Sequence, residues 1–144
     1  MIAFQKDEFS LAIRCFEKAV SLKPGYSVYY NDLGSAYYFL GDYLLALKSF
    51  NEAIRLDKSN YLAYKNRPFV LFQLRRYQEA YEDIKIYIGL NPADFRKDEF
   101  IQKEMLAKLE KEKNMKVVSF YNQKDAFKTV DIGVNLPHTA EILK

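Results

Sequence analysis

The sequence has a single cysteine, a single histidine and no tryptophan. Because Cys15 has no second cysteine to pair with, an internal disulfide is excluded, and a reduced cytoplasmic setting is the simplest interpretation. No apolar run approaches the ~20 residues that cross a bilayer, so we expect no membrane span. The start of the chain does not lead from a basic stretch into an apolar one, and it does not resemble a secretory signal.

Glycine is also scarce, with five residues scattered along the chain, and no glycine-rich phosphate-binding loop occurs. His138 and Cys15 lie far apart, and a metal site built on them would need further ligands at suitable spacing. Glu79, Glu82 and Asp83 cluster on one predicted helix, and we interpret them as a solvated face rather than a catalytic pair. We therefore expect no enzyme activity, cofactor, metal or small-molecule substrate.

A strong excess of either charge is missing too, since the formal net charge is +3. The whole excess lies in residues 95–128, where nine lysines and arginines accompany six acidic residues. Mixed signs are more typical of a solvated helix face than of a phosphate-binding strip. Nucleic-acid association through the Lys-rich region 103–128 is the alternative function, and it predicts binding that weakens steeply with salt.

What the sequence does contain is an internal repeat with a period of 34 residues and no insertion between copies. The aligned positions are hydrophobic in every copy, and the main sets are Phe9/Tyr43/Tyr77, Ala12/Ala46/Ala80, Phe16/Phe50/Ile84, Ala19/Ala53/Tyr87 and Leu22/Leu56/Leu90. A fixed period of this length predicts stacked supersecondary units, each of which buries its apolar face against its neighbours.

Each copy contains two helical patterns separated by turn residues. Ala46, Phe50 and Ala53 fall on one helix face, and Gly41-Asp42 supplies a helix stop followed by an N-cap. The predicted helices cover residues 9–22, 27–40, 43–56, 61–74, 77–90 and about 94–113. The sequence therefore predicts an all-α protein built from antiparallel helix pairs.

Residues 30–38 (YNDLGSAYY) and 41–47 (GDYLLAL) resemble the signature of the tetratricopeptide repeat family. The resemblance implies antiparallel helix pairs stacked as a short right-handed α-solenoid. The implied parts of the repeat array 1–113 are a half repeat 1–26, full repeats 27–60 and 61–94, and a capping helix 95–113, followed by an irregular or partly ordered tail 114–144. The resemblance also implies a protein–protein interaction module. Such a module would be a scaffold, adaptor or co-chaperone-like protein that binds a protein or peptide segment.

In this family the first helix of each pair lines a concave groove that holds a peptide. By register, the lining would be Asn31, Ser35, Tyr38 and Phe39 from the second copy, and Lys65, Asn66, Phe69, Phe72 and Gln73 from the third. Amides would grip a peptide backbone and rings would bury apolar side chains, although such rings also pack between helices. Some relatives clamp the acidic tail of heat-shock chaperones. Here Asn31 and Ser35 replace an expected lysine and asparagine, so that clamp is incomplete.

Two features depart from the family pattern. Pro68 lies inside the first helix of the third copy, at the phase of Gly34, and predicts a kink near Tyr64–Pro68. Nearly all of the first helix of the first copy is missing, which predicts an exposed apolar face around Leu11 and Cys15. Such a face would favour self-association or a docking segment, and truncation of a longer protein is the alternative explanation.

Overall fold

The computed structural model describes residues 3–113, and every regular element in that range is helical. The elements are α1 (Ala3–Leu22), α2 (Ser27–Leu40), α3 (Tyr43–Leu56), α4 (Tyr61–Gln73), α5 (Tyr77–Leu90), α6 (Pro92–Lys97), a π-helical segment (Phe100–Met105) and α7 (Leu106–Lys113). The expected all-α class is confirmed. The predicted tail 114–144 lies outside the described residues.

The chain divides into two compact units, Met1–Leu74 and Arg75–Lys144. In the first unit each helix packs against the next one along the chain, so that α2 contacts both α1 and α3, and α4 packs on α3. The boundary falls inside the predicted repeat 61–94, because α4 belongs to the first unit and α5 to the second. The division of the chain into domains therefore stays a prediction.

The helix limits follow the repeat register closely. α2, α3 and α5 begin and end at the predicted residues, while α4 ends at Gln73 instead of Leu74. α1 begins at Ala3 rather than at Phe9, because residues 3–8 contain no glycine or proline that would stop a helix. The chain therefore runs straight through the positions where the second copy turns.

The turn between α2 and α3 has the predicted stop and cap. Gly41 adopts φ = 91°, in the left-handed region, and its N–H donates to the carbonyls of Tyr37 and Tyr38. The Asp42 side chain then accepts a hydrogen bond from the N–H of Leu45 at 3.3 Å. Glycine suits the left-handed conformation because it has no Cβ, and the aspartate satisfies a donor at the start of α3.

The contact between α2 and α3 depends on the absence of a side chain at Gly34. A Cβ at this position would lie 2.8 Å from Cε1 of Phe50, whose ring is 1% exposed. Phe50 also belongs to a buried cluster with Ala46 and Val70. A matching cluster of Ile13, Leu33 and Ala36 includes the partly buried Phe16, so the core repeats along the chain.

A buried polar bridge joins the start of α2 to the loop that follows α3. The Ser27 hydroxyl donates to the Ala53 carbonyl at 2.8 Å and accepts from the Asn60 side-chain amide at 2.7 Å. Both polar side chains are buried. Because each finds a partner, their burial does not carry the cost of an unsatisfied polar group.

Pro68 lies inside α4, which continues on both sides of it. The proline is buried and has no N–H to donate to the carbonyl of Tyr64. The kink expected near Tyr64–Pro68 stays a prediction, while the continuity of the helix shows that the surrounding packing tolerates the proline.

The second unit begins with a strained residue and buries charge along α5. Arg75 adopts φ = 59° at the position that Gly41 occupies one repeat earlier. The interpretation of Glu79, Glu82 and Asp83 as a solvated face is wrong for Asp83, which is 3% exposed. α5 also packs against α6 and α7, the helices that follow the third copy.

The prediction of one capping helix over 95–113 is wrong, because three helical segments cover residues 92–113. The break is at Asp98, whose N–H donates to the Phe95 carbonyl and ends α6. The Asp98 carboxylate accepts from the N–H of Ile101 at 3.0 Å and so caps the π-helical segment. The hydroxyl of Tyr87 donates to Asp94 at 2.6 Å and fixes α6 on α5.

Candidate functional site

The nine predicted groove residues lie on α2 and α4, which are neighbours in the first unit. We call the surface that they share the α2/α4 face. Its most buried member is Asn31, which is 4% exposed, and its side-chain oxygen accepts a hydrogen bond from the Asn66 amide at 3.2 Å. This amide pair joins the two helices, so Asn31 contributes to the base of the face more than to its surface.

A row of aromatic rings crosses this face. The Phe39 ring stacks on Phe9 of α1, with centroids 5.3 Å apart and planes at 16°. Tyr38 meets Phe39 edge-on at 5.4 Å and Phe69 of α4 at 6.1 Å. These four residues, Phe9, Tyr38, Phe39 and Phe69, are the aromatic row. Phe39 is 53% exposed, so one end of the row presents a large apolar surface to solvent.

The sequence-based list missed Phe9, because it lies on α1 and not on a first helix of a pair. The repeat register could have identified Phe9. Phe9 has the phase of Tyr43, which packs against Tyr38 with ring centroids 5.7 Å apart. This register position therefore makes an aromatic contact in both copies, with Phe39 of the next copy in the case of Phe9 and within one copy in the case of Tyr43.

Tyr38 links the row to the polar side of the face. Its pKa is raised by burial and by the nearby Tyr43, while a hydrogen bond from Gln73 opposes that shift. The hydroxyl therefore stays protonated and neutral near physiological pH. Gln73 is itself exposed, so its side-chain amide lies at the border between the row and solvent.

The remaining predicted residues are less exposed than a fully open groove would make them. Ser35, Lys65, Asn66, Phe69 and Phe72 are all half-buried. The rings of Phe69 and Phe72 are neither fully buried nor fully exposed, so their place in a binding groove stays a prediction. Lys65 is the only cation among the nine predicted residues.

A separate cleft of about 390 Å³ lies between α1, α2 and α3. Its lining is mixed in polarity and consists of Glu17, Tyr30, Leu33, Tyr37, Leu45, Lys48, Ser49 and Glu52. Burial and the neighbouring Glu17 carboxylate raise the pKa of Tyr37. Glu52 is engaged by the guanidinium of Arg55, and this ion pair lowers the pKa of Glu52.

Other kinds of site are not found in the part of the chain that the structure describes. Within residues 3–113 no group of three histidine, cysteine or acidic side chains is placed to hold a metal ion. None of the described helices combines the length and the hydropathy that a membrane span requires. His138 lies outside the described residues.

Comparison with known proteins agrees with this architecture. Tetratricopeptide repeat models match residues 1–26 and 27–60, the half repeat and the first full repeat of the register. Residues 1–60 therefore consist of tetratricopeptide repeats. The helix pairs form a protein-interaction scaffold.

Curated relatives match only part of the chain. Protein SGT1 homolog of Oryza sativa subsp. japonica is 31% identical over 94 residues, which cover 65% of this chain and 26% of that protein. Stress-induced-phosphoprotein 1 of Caenorhabditis elegans is 29% identical over 84 residues, covering 58% and 26%. Hsp70-Hsp90 organizing protein 3 of Arabidopsis thaliana is 42% identical over 52 residues, covering 36% and 9%. The chain thus spans about a quarter or less of these relatives' lengths.

Proposed function

We propose that this protein binds a segment of a partner protein on the α2/α4 face, with the aromatic row as the main contact. The observation that supports this most directly is Phe39, which is 53% exposed although it is stacked on Phe9. A ring held by a second ring loses little further conformational entropy on binding, and it offers a rigid apolar surface. Aromatic side chains of this kind dominate the energetics of many interfaces.

The chemistry of the face favours an apolar or aromatic segment over an acidic tail. Lys65 is the single cation among the predicted lining residues, and Asn31 is already paired with Asn66. A carboxylate-rich ligand would find one positive charge and few free donors. An apolar side chain could instead lie on Phe39, while the exposed Gln73 amide hydrogen-bonds to the ligand backbone.

A co-chaperone-like adaptor is the setting that we propose for this binding. The support is the likeness to Hsp70-Hsp90 organizing protein 3 and to stress-induced-phosphoprotein 1. In such a role the chain would act by binding and would carry no catalytic activity. A cytoplasmic location belongs to the same proposal, and the exposed free thiol of Cys15 is compatible with a reducing compartment.

The test is selection of ligands from a random peptide library on the full chain, followed by affinity measurements. Phe39→Ala should weaken the selected peptides by about 2 kcal/mol, or roughly thirtyfold, as expected for an aromatic anchor. Leu44→Ala is the matched control, because Leu44 is also apolar and is 72% exposed, but lies on α3. It should leave the affinity almost unchanged.

The outcomes separate the candidate functions. Enrichment of aromatic peptides that depend on Phe39 and tolerate high salt would support the α2/α4 face. Enrichment of acidic peptides that depend on Lys65 would favour a chaperone-tail clamp instead. Nucleic-acid binding through the Lys-rich region 103–128 would show a steep salt dependence and no response to Phe39→Ala.

A further inference from the structure

One face of α1 is open where the same face of α3 is covered. The comparison uses residues one period apart, since α1 and α3 have the same register. Ala46, Phe50 and Ala53 of α3 are at most 1% exposed, and Ser49 is 6% exposed. The counterparts on α1 are less buried. Ala12, Phe16 and Ala19 are half-buried, and Cys15 is exposed.

The difference has a simple cause. α3 packs against both α2 and α4, whereas the main packing partner of α1 within the described part of this unit is α2. Leu11, which precedes Cys15 by one helical turn, is 54% exposed. Leu11, Ala12, Cys15, Phe16 and Ala19 follow helical spacing along one side of α1, and we call this side the open α1 face.

The start of α1 has no tight turn that would bring another helix back along the open α1 face. In the second copy Gly41-Asp42 reverses the chain so that α2 lies back along α3. The corresponding residues of the first copy, Asp7 and Glu8, are inside the continuous helix α1. A helix that covers the open α1 face must therefore reach it by another route.

The packing of α2 on α3 shows what such a helix would need. Gly34 lies against the Phe50 ring so closely that a Cβ there would be 2.8 Å from Cε1. Phe16 is the register equivalent of Phe50 and lies in the equivalent cluster with Ile13 and Ala36. A helix seated on α1 in the same way would need glycine, or at most alanine, opposite Phe16.

Charge adds a second requirement. Arg14 and Lys18 are exposed and follow the edge of the open α1 face. Their counterparts on α3, Lys48 and Glu52, line the cleft together with Tyr30 of α2. Two basic residues on α1 thus replace one basic and one acidic residue on α3, so the edge around Lys18 is more positive, while the exposed Asp7 and Glu8 make the start of the same side acidic. An acidic side chain at the position of Tyr30 would complement Lys18.

We propose that the open α1 face binds an amphipathic helix of a partner protein, with a small residue opposite Phe16 and an acidic residue beside Lys18. This surface lies on α1, and it adjoins the aromatic row at Phe9, which has the phase of the Tyr43 that contacts Tyr38 where α2 packs on α3. The partner helix would complete the first repeat in the way that α2 completes the second.

Cys15 makes the proposal testable, because it is the only cysteine and lies on the open α1 face. The probe is a synthetic peptide with the sequence of residues 26–41 carrying Tyr30→Glu. At ten times its Kd, the peptide should slow thiol modification of Cys15 in the full chain about tenfold, because only the unbound fraction reacts. The same peptide with Gly34→Leu should not slow it at these concentrations.

Two protein variants complete the design. Cys15→Ser combined with Ser10→Cys moves the thiol by five positions, about 140° around the helix, to another exposed site. Its modification rate should be insensitive to the peptide. Lys18→Gln should weaken the acidic peptide by up to about fivefold, the effect expected for loss of one surface ion pair.

Equal protection of Cys15 by both peptides, or no protection by either, would overturn the proposal. Slow modification of the chain alone would overturn it as well. If that slowing rises with protein concentration, a second copy occupies the open α1 face. If it does not depend on concentration, another part of the same chain covers Cys15.

Discussion

Gly34 is the position where the packing of the first unit is most sensitive to a single added carbon. Gly34→Ala would bring a Cβ within 2.8–2.9 Å of three ring atoms of Phe50, Cε1, Cδ1 and Cζ. Contacts this short require movement. The ring has little room for it, because it is 1% exposed and packs with Ala46 and Val70.

Two opposing effects decide the sign of the change in stability. Replacing glycine by alanine inside a helix favours folding by about 1 kcal/mol, while overpacking a core costs about 1–3 kcal/mol. We therefore expect Gly34→Ala to lower the free energy of unfolding by about 1 kcal/mol. The measurement is urea unfolding followed by circular dichroism, with the midpoint compared at constant slope.

Phe50→Val provides the background that separates the two effects. Valine lacks all three contacting ring atoms, and Ile84 shows that an aliphatic side chain occurs at this register position. In the Phe50→Val background, Gly34→Ala should stabilise the protein by about 1 kcal/mol, because only the helix propensity remains. The coupling between the two substitutions would then be about 2 kcal/mol. Equal effects in both backgrounds, or stabilisation of the wild-type chain, would refute this account.

Two further predictions concern the second unit. Arg75→Gly should raise the free energy of unfolding by about 1 kcal/mol in urea titrations, because Arg75 has φ = 59° and only glycine adopts that conformation without strain. Stability should also fall in alkaline solution, since burial raises the pKa values of Tyr81 and Tyr87 above the ordinary value of 10.0. Unfolded tyrosines ionise near that pH, whereas these two stay protonated in the folded protein. The stabilisation is therefore complete below about pH 10. Above that pH the free energy of unfolding falls by about 1.4 kcal/mol per pH unit for each tyrosine. An unchanged urea midpoint at pH 11, or equal pH profiles for wild type and Tyr81→Phe/Tyr87→Phe, would contradict this interpretation.

Much of the fold was predictable because the information is local and repeated. The period aligned Phe50 with Phe16, and Gly41-Asp42 specified a turn whose conformation depends on its own residues. The last helix was predicted wrongly because it follows the repeats and has no copy to compare with. Asp98 ends α6 and caps the next segment through hydrogen bonds of its own, and no repeat equivalent was available to show that role.

The candidate site was predictable only in part, because its contacts join different copies. The register placed Asn31 and Asn66 on the lining, but it could not show that one amide would be buried as the acceptor of the other. It also could not show that Phe9 would support Phe39. Asp83 is a different case, because it has the register phase of Ser49, which is also buried, so the repeat itself could have shown that Asp83 is buried.

The same limitation makes the departures from the repeat informative. Phe16 and Phe50 have the same side chain and the same register, so their difference in exposure reports the surroundings rather than the residue. Phe50 is enclosed because a helix lies on each side of it, and Phe16 has a described helix on one side only. Phe16 is half-buried at a position where Phe50 is fully buried, so it marks a surface on α1 that a further helix could cover. The packing of α2 on α3 shows which kind of helix would fit there. The small residue that we propose for the partner helix therefore follows from the contact between Gly34 and Phe50, and its acidic residue follows from the exposed Lys18.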